Sequence, residues 1–157
     1  MSFFWRLFPP AFVLPKAIVP HQTHTGYALM LNPRYLLDLY RSEGRLKDAE
    51  SLLQRVLEIE EKSLGERHRV VIQTLTTLAG IYEEEGKNDQ VKYAQALPLY
   101  ERALALQQVN LGPDHPELLG LLGKYADLLR KLHDDAKAAA VRSRMAMIST
   151  AQRNQPR

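Results

Sequence analysis

The chain has 157 residues, 45% of them hydrophobic and 25% charged, with a formal net charge of +3 and no cysteine. That length fits a single domain with one core, and the lack of cysteine excludes disulfides, thiolate catalysis and a Cys-ligated metal. The slight positive charge comes without the Lys/Arg run or interleaved aromatics of a nucleic-acid surface, and no apolar stretch approaches the roughly 20 residues that cross a bilayer as a helix.

Residues 1–25 stand apart in composition. Pro9, Pro10, Pro15, Pro20 and Pro33 fall in the first 33 positions, Phe3, Phe4, Trp5 and Phe8 crowd the start, and no acidic residue precedes Asp38. An apolar, acid-free start is one mark of a signal or transit segment. Pro9, Pro10 and Pro15 interrupt its apolar core, however, only Arg6 precedes that core, and no small-x-small cleavage site follows. The segment is therefore expected to be an apolar, Pro-rich arm on the first helices, with a targeting segment as the alternative. The cytoplasm is the expected compartment; export or organelle import follows if the segment is a signal. His21 and His24 form an H-x-x-H without a nearby carboxylate, short of the three or four ligands zinc takes, and no metal is expected there.

From Gly26 onward the apolar residues fall into helix pairs. Leu36, Leu37 and Tyr40 make a stripe that ends at Ser42-Glu43-Gly44, and Leu46, Ala49, Leu52, Leu53, Val56 and Leu57 make another at helical spacing. Gly44 sits where the first helix stops, since glycine takes the left-handed conformation that a Cβ resists. The second pair follows with Leu75, Leu78, Ala79 and Tyr82, a turn at Gly86, then Ala96, Leu99, Tyr100 and Ala103. The third runs Leu122, Tyr125, Ala126 and Leu129, turns at His133-Asp134-Asp135, and continues through Ala138, Val141 and Met145. Between pairs stand SLGERHR and NLGPDHP. There Gly65 and Gly112 end long second helices, Pro116 suits the first turn of the next helix, and Asp114 or His115 caps it.

The pairs are copies of one another. Leu52 to Leu75 returns 47 residues later as Leu99 to Leu122, keeping Leu52/Leu99, Arg55/Arg102, Leu57/Leu104, Leu64/Leu111, Gly65/Gly112, His68/His115 and Leu75/Leu122. Yet Tyr40 and Tyr82, Gly44 and Gly86, and Ala96 and Ala138 are all 42 apart. One five-residue insertion reconciles these offsets, so the basic period is 42 and the extra residues lie within Lys87 to Tyr93, a polar stretch expected to form an enlarged loop. Repeats of this length mark a stacked helical array whose units bury their apolar faces against their neighbours. Only STAQRNQPR follows Ile148, so the last helix is expected to leave an apolar face open for self-association or for docking on a larger partner.

The polar residues read as scaffold. Glu58, Glu60, Glu61 and Glu83 to Glu85 are expected on solvated helix faces. His68 and His115 occupy matching turns, and His133-Asp134-Asp135 reads as a polar turn with a capping carboxylate. No phosphate loop, G-x-S-x-G or H-E-x-x-H is present. Neither an enzyme nor a cofactor is expected.

These residues resemble a tetratricopeptide repeat (TPR) protein of the 42-residue, kinesin-light-chain-like type. Ala79, Tyr82, Gly86, Ala96, Tyr100 and Ala103 match its pattern best, and PLYERALAL followed by LGPDHPEL is close to its consensus. The first repeat departs at Leu37 and Val56, and the third at His133, Arg142 and Met145. The resemblance implies an all-α fold, a right-handed superhelical array of about three helix-turn-helix repeats over residues 26–148 (26–66, 67–113 and 114–148), followed by a polar tail at 149–157.

The resemblance also implies a concave groove that holds a peptide or helix of a partner protein. Carried over position by position, the groove takes Arg34, Tyr35, Asp38 and Arg41 from the first repeat, Thr76, Thr77, Gly80 and Glu83 from the second, and Gly123, Lys124, Asp127 and Lys131 from the third. The family's groove asparagine is replaced by Tyr35, Thr77 and Lys124, so neither a carboxylate clamp nor the family's standard peptide-backbone reader is expected. Arg34 with Asp38, and Lys124 with Asp127, are spaced to pair along their own helices. The expected function is that of a non-catalytic adaptor or scaffold; the alternative is an exported or membrane-associated assembly factor. The expected partner is another protein, or a second copy of the chain through the last helix, with no nucleic acid; a membrane enters only under the alternative.

Overall fold

The computed structural model describes residues 33–153, and the N-terminal arm with its aromatics, His21 and His24 lies outside them. Six helices follow in order: α1 (Pro33–Ser42), α2 (Leu46–Leu64), α3 (Arg69–Gly86), α4 (Gln90–Leu111), α5 (Leu118–Lys131) and α6 (Asp135–Arg153). They pair as α1/α2, α3/α4 and α5/α6, and the principal packing joins helices adjacent in sequence. The fold is an all-α repeat array. Its last helix runs beyond Ile148 to Arg153.

Glycine ends the long second helices as the sequence implies. Gly65 and Gly112 follow α2 and α4 with φ of 84° and 98°, and their N–H groups donate to Glu61 and Gln108 carbonyls. Gly44 turns α1 into α2 at φ 71°. The matching place in the third pair holds His133, forced to φ 60° without glycine's freedom. Asp134 then caps α6, its Oδ1 accepting the Lys137 N–H at 3.2 Å.

Gly86 is not a turn glycine. It lies in the last turn of α3, buried, where an added Cβ would stand 2.6 Å from the Tyr93 ring. Tyr93 belongs to the stretch expected as an enlarged loop, and the structure corrects that expectation. The α3–α4 connection is only residues 87–89, the same length as residues 43–45 between α1 and α2. The five extra residues lengthen helices: α3 gains two at its end by running on to Gly86, and α4 gains three at its start, before the place where Tyr93 matches Leu46. Asp89 allows this by capping α4, its Oδ1 accepting the Val91 N–H at 3.1 Å.

Two apolar clusters form the core. The larger joins Val71, Leu75, Ala79, Ala96, Tyr100, Leu104, Leu118 and Leu122, among others; the smaller joins Leu37, Tyr40, Ala49, Leu53, Leu78 and Ile81. Tyr82 and Leu99 pack against both and make one continuous interior. The open apolar face expected on the last helix is present but small, made of the exposed Ala139, Ala140, Ala146 and Met147. Ala139, Arg142 and Ala146 of α6 stand exposed where α4 carries Leu97, Tyr100 and Leu104. Met147 is the one large apolar side chain of α6 that is mostly exposed, at 66%.

Two substitutions should act in opposite directions. Gly86→Ala drives a methyl into the Tyr93 ring and should cost about 1–3 kcal/mol, the usual range for overpacking. His133→Gly relieves a left-handed backbone and should gain about 1 kcal/mol. Urea unfolding of both variants beside the parent checks the signs.

Candidate functional site

The first helices of successive pairs, α1, α3 and α5, carry the residues expected in the groove. Their C-terminal ends are joined by ion pairs. Arg41 donates to Glu84, with Nε to Oε2 at 3.2 Å, linking α1 to α3. Lys131 of α5 pairs with Glu83 of α3, and the same Glu83 carboxylate accepts the Tyr100 hydroxyl at 2.6 Å. These are one contact used twice with its charges exchanged. Glu83 is Arg41's counterpart 42 residues on, and Lys131 is Glu84's counterpart 47 residues on.

The expected solvated faces of Glu83 to Glu85 are thus corrected. All three side chains bridge helices, because each points at a cation or hydroxyl of a neighbour. Glu85 holds Lys92 at 2.9 Å, and Lys92 also reaches Glu50 of α2 at 3.4 Å while lying over the Tyr82 ring. The Tyr82 hydroxyl donates to Glu50 at 2.8 Å. Glu61 is likewise engaged, by Arg102 at 2.7 Å. Glu58 alone of the cited glutamates is fully on the surface.

Toward the other end of α3 and α5 the surface opens into a cleft of about 500 Å³, floored by the C-terminal half of α4. Three of the expected groove residues meet there: Thr76, Thr77 and Lys124. Each threonine hydroxyl donates to the carbonyl four residues back, at 2.8 Å, and keeps its lone pairs for a ligand. Lys124 does not pair with Asp127; that carboxylate faces Arg142 at 3.7 Å and Arg130 at 4.0 Å instead. Among the described residues Lys124 has no carboxylate partner.

The remaining expected residues are placed differently. Gly80 has open space where a Cβ would stand, whereas Gly123 points at α6, 3.6 Å from the Met145 methyl. Asp38 is exposed on α1, and the side chains of Arg34 and Tyr35 lie outside the described residues.

The cleft also holds residues that the sequence reading missed, chiefly Arg69, Gln73, Gln107, Asn110, Glu117 and Gly120. Gln73 and Gly120 lie one helical turn before Thr77 and Lys124, so extending the face by four residues finds them. Gln107 and Asn110 lie on the second helix, outside the positions carried over. Asn110 donates to the Arg67 carbonyl at 2.7 Å and Gln107 to that of Glu117 at 3.3 Å, which fixes both amides with an oxygen still able to accept. Arg69 and Glu117 face each other across the mouth at 4.0 Å. Among the described residues no group of three or more His, Asp or Glu is placed to hold a metal, and no helix is long and apolar enough to cross a membrane.

Burial makes the tyrosines poor acids. Tyr100 is pushed far above the usual tyrosine range by burial and then by the Glu83 carboxylate that its hydroxyl bonds. Burial, with Glu101 bonded to its hydroxyl, pushes Tyr125 up to about 12. The folded chain therefore favours the neutral phenols. Their stabilisation is complete below pH 10, where a free tyrosine ionises, and is lost as pH rises toward 12 and beyond. Alkaline titration followed by tyrosinate absorbance and circular dichroism should show late ionisation together with unfolding.

The swapped ion pairs can be tested by exchange. Arg41→Glu and Glu84→Arg should each destabilise, and together recover a coupling of about 0.2–1 kcal/mol, the range for exposed pairs. The Glu83–Lys131 pair should couple more strongly, because the Glu83 side chain is only 15% exposed.

A search of curated protein sequences finds no match. Among solved structures, the chain resembles the kinesin-light-chain-type, nearly identical TPR-like repeats of Podosopora anserina, with a TM-score of 0.65 and 21% identity over 83% of this chain and 64% of that one. A single-substitution variant of those repeats gives a TM-score of 0.65 and 22% identity over 83% of this chain and 58% of that one. The chain thus spans about three fifths of the length of these neighbours. The tetratricopeptide repeat model matches residues 28–92 and 89–141, and the chain, a stack of helix pairs with that model over most of its length, belongs to the tetratricopeptide repeat family of protein-interaction modules.

Proposed function

We propose that this chain is a non-catalytic adaptor that holds an extended segment of another protein in the cleft between α3 and α5. The observation that carries the reading is Lys124, unpaired among the described residues and facing a cleft of about 500 Å³ beside Gln73, Thr76 and Thr77. Side-chain amides and hydroxyls can match the alternating N–H and C=O groups of an extended backbone, whose desolvation otherwise costs free energy. Gly120, with nothing within 4 Å of the position a Cβ would take, leaves room for that backbone to approach α5. The other end of the groove is occupied by its own ion pairs. Arg41, Glu83 and Lys131 therefore set the spacing of the first helices, and the cleft does the binding.

Filling the cleft with Gly120→Trp, or reversing its charge with Lys124→Glu, should reduce recovery of bound protein at least tenfold in affinity purification read by quantitative mass spectrometry. Val109→Ser, outside the cleft, should leave recovery unchanged. A photo-crosslinker at position 73 should capture the same protein, and one at position 109 should not. Equal recovery by all three variants would remove the cleft assignment.

A further inference from the structure

We infer that His68 and His115 make the entries to α3 and α5 sensitive to acid, so that the helix turns lining the cleft loosen as the imidazoles take up protons. The His68 Nδ1 accepts the Val70 N–H at 3.3 Å, and the His115 Nδ1 accepts the Glu117 N–H at 3.2 Å. The first turn of a helix has N–H groups without an intrahelical partner; the His68 imidazole satisfies one in α3, and the His115 imidazole holds the N–H of Glu117, the residue immediately before α5. A neutral imidazole can do this only with its proton on Nε2; a protonated one bears hydrogen on both nitrogens and accepts nothing. Protonation therefore sets one N–H against another and adds a positive charge at the positive end of the helix.

The bond recurs in two turns, SLGERHR and NLGPDHP, that share Leu, Gly and His and differ at the other four positions. This recurrence at matching places marks it as a built feature of the junction. The charges around the two rings do not replace the lost acceptor. Near His68 lie Glu66, Arg67 and Arg69, with Glu66 3.9 Å from Arg102 of α4. Near His115 lie Asp114 and Glu117, with Glu117 facing Arg69 of α3 and Arg144 of α6 donating to the Pro113 carbonyl. Glu66 faces Arg102, Glu117 faces Arg69 and Asp114 is exposed, and none of the three carboxylates is bonded to the N–H that the imidazole holds.

Both caps adjoin the cleft. Arg69 follows His68 directly, and Glu117, whose N–H His115 holds, lines the mouth. The effect on a bound segment rests on the partner-binding reading above, whereas the caps themselves do not. The stabilisation is present while the rings are neutral and is lost when they take up protons.

The test is made on the full chain without any partner. Two-bond proton–nitrogen correlation at pH 8 should show both rings as the Nε2–H tautomer, and the Val70 and Glu117 amides should exchange faster at pH 5.5 after correction for intrinsic rates. His68→Asn with His115→Asn keeps an accepting oxygen at each cap and removes the titration. Between pH 8 and 5.5 the parent's Tm should fall about 3–8 °C more than that of the double variant. Nδ1–H tautomers, or equal pH profiles for the two proteins, overturn the inference. The tautomer measurement needs only the parent protein, so it decides the matter even where the double variant fails to fold. A negative result here leaves partner capture at pH 8 unaffected, and a failure of partner capture leaves the tautomers and exchange rates unaffected.

Discussion

Close approach of helices through alanine is the constraint on which the rest of this molecule depends. Ala49, Ala79, Ala96 and Ala103 are completely buried, and a larger side chain at any of them would hold neighbouring helices apart. Because the apolar clusters lie between pairs as much as within them, no unit has an interior of its own. This tight packing has a polar consequence. Tyr100 is 1% exposed, so its hydroxyl must find a partner inside the array, and it finds Glu83. A carboxylate brought that far from water in turn needs a cation, which α5 supplies as Lys131. Packing in the core thus dictates the chemistry at one end of the groove.

That sequence of needs explains why the groove has two unlike halves. Where Tyr100 emerges, the first helices are bound to one another through Arg41–Glu84 and Glu83–Lys131. The exchange of charge between the two pairs also favours correct neighbours, since shifting a pair by one repeat would set like charges together. Near the helix N-termini no buried tyrosine among the described residues draws a carboxylate inward in this way. There Gln73, Thr76, Thr77 and Lys124 remain available, and the cleft opens.

The fold was legible because it is written in spacing. Apolar periodicity placed all six helices, the two offsets placed the insertion, and Gly44, Gly65 and Gly112 marked three ends correctly. The site was less legible for three physical reasons. A position carried over from a repeat pattern names a helix face, and the cleft also uses Gln107 and Asn110 from the end of a second helix. Charge spacing along one helix suggested Lys124–Asp127, but α6 brings Arg142 to that carboxylate from outside. A run of glutamates reads as a solvated face until the neighbouring helix is seen to present Lys92, Arg41 or Lys131 to it. Pairing across repeats is invisible to any rule confined to one helix.

The insertion shows the same limit and its significance. Polar composition suggested a loop, and a loop would have been the obvious place for recognition. The residues instead extend two helices, and Lys92, from the added turn of α4, ties Glu50 of the first pair to Glu85 of the second. Tyr93 fills the space left by Gly86 and lies under Lys131, the cation that holds α5 to α3. Lys92 of the extension and Tyr93 beside it therefore brace the second pair against both neighbours. A cleft formed by separate helices keeps a defined width only if those helices keep their spacing. Tyr93, just after the added turn, helps to fix the distance between α3 and α5, and with it the width of the cleft.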